Sequence, residues 1–116
     1  IEWFEQGVDA SSWAQVPRLV QTGETGLLAT WPVPRVTQAL LKLCDDALRV
    51  TAGREPRYFP AASIPKGAQI QRLSAWAAEL RRFMRQADHP LNAGLQIEAL
   101  VARGAQALAH SRGIRG

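Results

Sequence analysis

A stripe of apolar residues between positions 70 and 87 is the feature that most constrains the fold. Its members recur every three or four residues, the period of an α-helix that buries one face. They are Ile70, Leu73, Trp76, Ala77, Leu80, Phe83, Met84 and Ala87. The spacing predicts an amphipathic helix of about five turns between Lys66 and Gln86. On its polar side, Glu79 and Arg82 stand three positions apart, where an ion pair can form.

A second stripe predicts a helix from Arg35 to Thr51. Its apolar positions are Val36, Leu40, Leu43, Ala47 and Val50. Pro32 and Pro34 stand before it, where proline can enter a helix without interrupting one. Gly53 is expected to end it.

A third stripe predicts a helix from Leu95 to about His110. Its apolar face comprises Leu95, Ile97, Leu100, Val101, Gly104 and Leu108. Gly104 is unusual on such a face, because glycine costs about 1 kcal/mol relative to alanine inside a helix. Two explanations stay open: a neighbouring helix approaches closely at Gly104, or the residue is a tolerated weakness.

The remaining segments predict short helices and loops. Residues 1–8 have the pattern of a helix tail, with Ile1, Trp3, Phe4 and Val8 apolar. Ser11 or Ser12 can cap a short helix that Pro17 bends or restarts. A proline-rich connector spans residues 53–65, and its Tyr58 and Phe59 are expected to anchor it on the core. Because no strand pattern stands out, we predict an all-α fold: one compact bundle of about five helices formed by residues 1–116.

The charge is unevenly distributed along the chain. The formal net charge is +4 and the isoelectric point is about 10.2. Residues 1–48 contain three basic and six acidic residues, whereas residues 49–116 contain eleven basic and four acidic ones. A basic balance makes nucleic acid a partner to consider, and RRFMR at 81–85 is the nearest approach to a basic recognition helix. However, arginines suit forked contacts to carboxylates as well as to phosphates, so a solvated or protein-facing role is favoured.

The sequence contains no group of residues typical of a catalytic, phosphate-binding or metal site. Asp88 and His89 are adjacent residues before a proline, a composition typical of a helix–helix turn. Cys44 lies on a leucine-rich stripe, where a buried thiol is usually inert. Asp45 and Asp46 are expected on a solvated helix face, and His110 near a helix end. There is no phosphate-binding glycine motif and no ligand spacing for zinc.

The same observations exclude other classes of protein. The apolar runs are too short for a membrane span, and one cysteine cannot form an internal disulfide. We therefore expect a cytoplasmic protein that is not an enzyme and that uses no cofactor, no metal and no small-molecule substrate.

Three short motifs, in their order and spacing, carry a resemblance to a known family. They are DALR at 46–49 with a glycine shortly after it, RYFP at 57–60, and HPLN at 89–92 leading into LQIEALV. Over roughly residues 31–109 the chain resembles the C-terminal collar domain of the delta prime subunit of the bacterial DNA polymerase III clamp loader. The resemblance implies that the chain, which begins at Ile1, is the C-terminal part of a longer AAA+-type subunit.

The resemblance also implies a function. In that family the collar domains of five related subunits join into a ring, and the ATPase modules of those subunits load the sliding clamp during DNA replication. The expected partners are other clamp-loader subunits, with DNA contacted only through the assembled complex. A small basic helical nucleic-acid-binding module is the alternative.

Two sets of residues follow as predictions. The contacts between collar domains in that family follow no sequence motif that can be matched here. The subunit interface is therefore predicted from charge alone. It is placed on the polar faces of the last two helices, at Arg72, Arg82 and Arg103. Asn92 stands directly before the last helix and is predicted to cap it by accepting from a backbone N–H of the first turn.

Overall fold

The regular structure of the chain is helical. The computed structural model describes residues 10–85 and 93–109, and within them it contains no strand. The α-helices are α1 (Ala10–Ala14), α2 (Val16–Thr22), α3 (Val33–Thr51), α4 (Ile70–Arg85) and α5 (Ala93–Leu108). Short 3₁₀ helices at Leu28–Thr30 and Ala61–Ser63 lie in the connections before and after α3. The predicted all-α bundle of about five helices is confirmed for these residues.

The three long helices share one core. Helix α3 packs against α4, α4 packs against α5, and α5 also contacts α2 and α3. The large side chains at the centre are at most 1% exposed: Leu40, Leu43, Leu73, Trp76, Leu80 and Val101. Burying each such side chain contributes about 1.5–3 kcal/mol, so the apolar stripes are the main source of stability.

Both ends of α3 follow from residues in the sequence. Pro34 stands in the first turn, where its missing N–H is not needed. At the other end, Gly53 adopts a φ of +81°. Its N–H donates to the Val50 carbonyl at 3.0 Å, and the Arg54 N–H donates to the Arg49 carbonyl at 2.7 Å. These two bonds satisfy carbonyls of the last turn, and the prediction that Gly53 ends the helix is confirmed.

The predicted helix starts were less accurate. Helix α4 begins at Ile70 instead of Lys66, because the chain turns at Gly67 with a φ of +91°. Ile70 is 50% exposed and Leu95 is 65% exposed, although both were expected on buried stripes. Each stands in the first turn of its helix. There the helical spacing of apolar residues continues, but burial also requires another part of the chain to pack against that turn.

The N-terminal part divides into two short helices. Helix α1 begins at Ala10, one residue before Ser11, whereas the sequence predicted a start at Ser11 or Ser12. Pro17 occupies the first turn of α2, which confirms that the helix restarts there. The residues expected to be apolar anchors are buried: Trp13, Val16, Leu19 and Val20. The helix tail predicted for residues 1–8 lies outside the described residues.

Candidate interaction surface

The contact between α4 and α5 is built around a glycine. A Cβ placed on Gly104 would overlap Cζ2 of Trp76, and it would lie only 2.8 Å from Cε2 and Cη2 of the same indole. The indole Nε1–H donates to the Leu100 carbonyl at 2.9 Å. Gly104 therefore leaves space for Trp76, and the close-approach explanation for this residue is confirmed.

An ion pair spans the outside of this contact. Nη1 of Arg103 on α5 lies 3.1 Å from Oε1 of Glu79 on α4, with both side chains partly exposed. The sequence places Arg82 where it can pair with Glu79 on the same helix, but in the structure Glu79 pairs with Arg103 instead. Because Trp76 and Gly104 bring the helices close together, an arginine of the opposite helix reaches the carboxylate.

Two depressions flank this ion pair along the same groove. One, of about 540 Å³, is lined by Arg72, Ala75, Trp76, Glu79, Arg103, Gln106 and Ala107. The other, of about 240 Å³, is lined by Glu79, Arg82, Phe83, Gln96, Ala99, Leu100 and Arg103. Because both include Glu79 and Arg103, they form one continuous surface, which we call the α4–α5 groove. It brings together Arg72, Arg82 and Arg103, the three residues predicted at the subunit interface.

The charge of the groove is mixed but predominantly positive. Three guanidinium groups and one carboxylate line it, which gives a net charge of +2 at neutral pH. Arg103 is engaged by Glu79. In the part of the chain that the structure describes, Arg72 and Arg82 are exposed and have no ion-pair partner. These two arginines stand at opposite ends of the groove, and each guanidinium carries a fork of N–H donors.

A second arrangement, which the sequence did not predict, fixes the connector after α3. Asp46 was expected on a solvated helix face, but it is 0% exposed. Its carboxylate accepts backbone N–H bonds from Arg57 at 2.8 Å, Tyr58 at 2.9 Å and Phe59 at 2.8 Å. The connector folds back over α3 and needs an acceptor for these donors, because buried N–H groups without partners are costly. Asp45, in contrast, is exposed and pairs with Arg49 as an ordinary surface residue.

Aromatic residues hold the same connector against α1 and α3. The ring of Phe59 stacks on Trp13 with centroids 5.2 Å apart, and the Trp13 indole N–H donates to the Tyr58 carbonyl at 3.4 Å. Nζ of Lys42 lies 5.5 Å from the Trp13 ring centroid and 5.1 Å from that of Tyr58. Phe59 is buried as predicted, whereas Tyr58 is 39% exposed and provides mainly a surface for the lysine.

The Cys44 thiol is buried, as the sequence predicted. Cys44 is 1% exposed, and its Sγ–H donates to the Leu73 carbonyl at 3.1 Å. Burial raises the pKa of the Cys44 thiol from its ordinary value of 9.0 to about 12. The thiol therefore stays protonated at neutral pH, whereas the reactive and metal-binding form of cysteine is the thiolate.

Several predicted residues cannot be placed. Asp88, His89, Asn92 and His110 lie outside the described residues. Across residues 10–85 and 93–109, no three His, Cys, Asp or Glu side chains are grouped so that they could hold a metal ion. Within the same ranges no helix combines the length and the apolar character that crossing a membrane requires.

Comparison of the chain with protein-family models, with curated proteins and with solved structures found no match.

Proposed function

We propose that the chain is an oligomerisation domain of the clamp-loader collar type, equivalent to that of the delta prime subunit of bacterial DNA polymerase III. Its role is to pack against the collar domains of neighbouring subunits, so that their ATPase modules can load the sliding clamp in the cytoplasm. The domain performs no chemistry of its own, and it contacts DNA only through the assembled complex.

The observation that carries this proposal is the contact between two of the motifs on which the resemblance rests. Asp46 opens DALR, and its carboxylate holds the backbone of RYFP through three hydrogen bonds. A chance resemblance would not require the two motifs to touch. Here they depend on each other, since the buried carboxylate of Asp46 needs donors and the buried N–H of Phe59 needs an acceptor.

The surface of the bundle supports a scaffold role. The α4–α5 groove has a partly apolar floor that includes Trp76 and Phe83, and arginines stand along its edges. Arginine is enriched at protein interfaces, and a polar rim around a less polar centre is the usual arrangement there.

Purification of the protein from its own cells tests the proposal. A tagged full-length protein should co-purify with the clamp-loader ATPase subunits in stoichiometric amounts at physiological salt. Removing residues 10–109 should abolish this association, while a tagged unrelated helical domain provides the background. Unchanged recovery of the ATPase subunits after the deletion would contradict the proposal.

One observation favours the alternative of a nucleic-acid-binding module. Helix α4 carries Arg72, Arg81, Arg82 and Arg85, all exposed, against the single acid Glu79. If this helix bound a phosphate backbone, the chain would bind duplex or single-stranded DNA with sub-micromolar affinity at physiological salt. The affinity would then fall steeply as the salt concentration rises, because counterions are released on binding.

A further inference from the structure

We infer that the α4–α5 groove is a docking site for an acidic segment of a neighbouring protein subunit, which places one carboxylate on Arg72 and another on Arg82. The inference rests on the proposed function, because it requires that the chain holds protein neighbours. It adds to that function the face of the bundle that is used and the chemistry of the segment that is bound.

The spacing of the two arginines defines the ligand. Arg72 and Arg82 are ten residues apart on α4, which corresponds to about 15 Å along the helix axis. Both side chains are exposed and lack an ion-pair partner among the described residues. A helical acidic segment lying along the groove reaches both ends when its carboxylates are separated by about ten residues, or about three turns.

The centre of the groove favours protein over nucleic acid. Glu79 lies between the two arginines, and its side chain is 30% exposed even though it pairs with Arg103. A phosphate backbone running from Arg72 to Arg82 would carry negative charge past this carboxylate, and like charges in contact are unfavourable. A protein segment avoids this conflict, because it can place an uncharged or basic residue opposite Glu79 and acidic residues only at the two ends.

The floor of the groove allows a close approach. Ala75, Ala99 and Ala107 line it beside the rings of Trp76 and Phe83. Ala75 and Ala99 are exposed, and such small side chains let a third helix approach the pair, whereas the rings of Trp76 and Phe83 are buried and close the floor beneath them. Arginines at the edge then fix the register of the docked segment through forked hydrogen bonds to its carboxylates.

Charge reversal in the full-length protein tests the inference, with purified clamp-loader ATPase subunits as the probe. The double substitution Arg72→Glu/Arg82→Glu should weaken assembly with these subunits roughly 30-fold or more, because it replaces two attractions with two repulsions. The matched control is Arg18→Glu/Arg54→Glu, which makes the same change of charge at exposed arginines outside the groove. The control should leave the dissociation constant within about threefold of wild type, since exposed charges contribute little.

A zero-length cross-link identifies the docked segment directly. The chain contains only two lysines, Lys42 and Lys66. In the Arg72→Lys and Arg82→Lys variants, a carbodiimide should join the new amine to a partner carboxylate as an amide. Mass spectrometry should locate the two cross-links on acidic residues of one partner segment, about ten residues apart if that segment is helical.

The outcomes separate this inference from the proposed function. If the wild-type protein does not assemble with the ATPase subunits, both are wrong. If assembly occurs and the double substitution weakens it no more than the control does, the docking inference alone is wrong. If the double substitution leaves assembly intact but abolishes binding to duplex DNA, the groove is a nucleic-acid site and the inference is overturned.

Discussion

Replacing Gly104 with alanine should destabilise the protein, although helix propensity predicts the opposite. Alanine is about 1 kcal/mol more favourable than glycine inside a helix. In the structure, however, the added Cβ would overlap Cζ2 of Trp76 and lie 2.8 Å from two other ring atoms. Overpacking of this kind costs about 1–3 kcal/mol.

The Trp76 ring cannot move away from this methyl group without a further loss. Its Nε1–H donates to the Leu100 carbonyl at 2.9 Å, and the ring is only 1% exposed. Leaving that buried donor without a partner costs about 1–3 kcal/mol. Combining the two costs with the gain in propensity, we expect Gly104→Ala to lower the free energy of unfolding by about 1–5 kcal/mol.

Urea denaturation followed by far-UV circular dichroism measures this change. The matched control is Gly94→Ala in the same helix, because a Cβ at Gly94 meets nothing within 4 Å. The control should be neutral or stabilise the protein by up to about 1 kcal/mol. A second check is Trp76→Phe, which removes part of the clashing ring: the double variant should be more stable than the sum of the two single effects predicts.

A stabilised Gly104→Ala variant would refute the reasoning. It would show that α4 and α5 are not held as close together as Trp76 and Gly104 require. The α4–α5 groove and its arginine positions would then lose their structural basis.

The remaining predictions concern the connector, the thiol and the helix cap. Asp46→Ala leaves three backbone donors without their acceptor and should lower the free energy of unfolding by about 3–5 kcal/mol. The control Asp45→Ala should lower it by less than about 0.5 kcal/mol. Equal effects of the two substitutions in urea titrations would contradict the role assigned to Asp46. Cys44 should react with an aromatic disulfide reagent at pH 8 only as fast as the protein unfolds. Rapid labelling of the native protein would contradict this burial. Because the pKa of the Cys44 thiol is raised from 9.0 to about 12, the stability that the protonated thiol contributes should be complete below pH 9. That contribution should be lost as the pH rises from 9 towards 12. Asn92→Ala should lose about 1 kcal/mol if Asn92 caps α5, whereas His89→Ala should change the thermal midpoint little.

The long helices were predictable because their information is local. The positions that repeat every three or four residues in α3, α4 and α5 are the positions that the core buries. The exceptions stand near helix ends: Ile70 and Leu95 at helix starts are exposed, and Val50 and Met84 near the ends of α3 and α4 are only partly buried. A single sequence shows the period of a helix, but it does not show how far along that helix a neighbouring element packs against it.

The buried role of Asp46 depends on non-local structure, and the sequence did not reveal it. Its three donors come eleven to thirteen residues later in the chain, and nothing in the pattern DDALR distinguishes Asp46 from Asp45. The position of Asp46 around the helix axis was a useful signal. Asp46 follows Ala39 by seven residues, so the two side chains lie on the same face of α3, and Ala39 is fully buried.

The prediction of the interface residues depends partly on local sequence and partly on non-local structure. Sequence periodicity placed Arg72 and Arg82 on the polar side of α4, and the structure adds that Arg103 of α5 lies beside them in one groove. The pairing of Glu79 with Arg103 depends on how closely the helices approach, which is set by Gly104. Glycine on an apolar stripe was the sequence signal for that contact.

The central claim is that this bundle joins clamp-loader subunits, and the mass of a reconstituted complex tests it most directly. Purified full-length protein is mixed with purified clamp-loader ATPase subunits, and the mixture is analysed by size-exclusion chromatography with light scattering. We predict a single complex whose mass includes one copy of the protein, and its absence when residues 10–109 are deleted. Separate elution of the intact protein and the ATPase subunits at micromolar concentrations would contradict the claim.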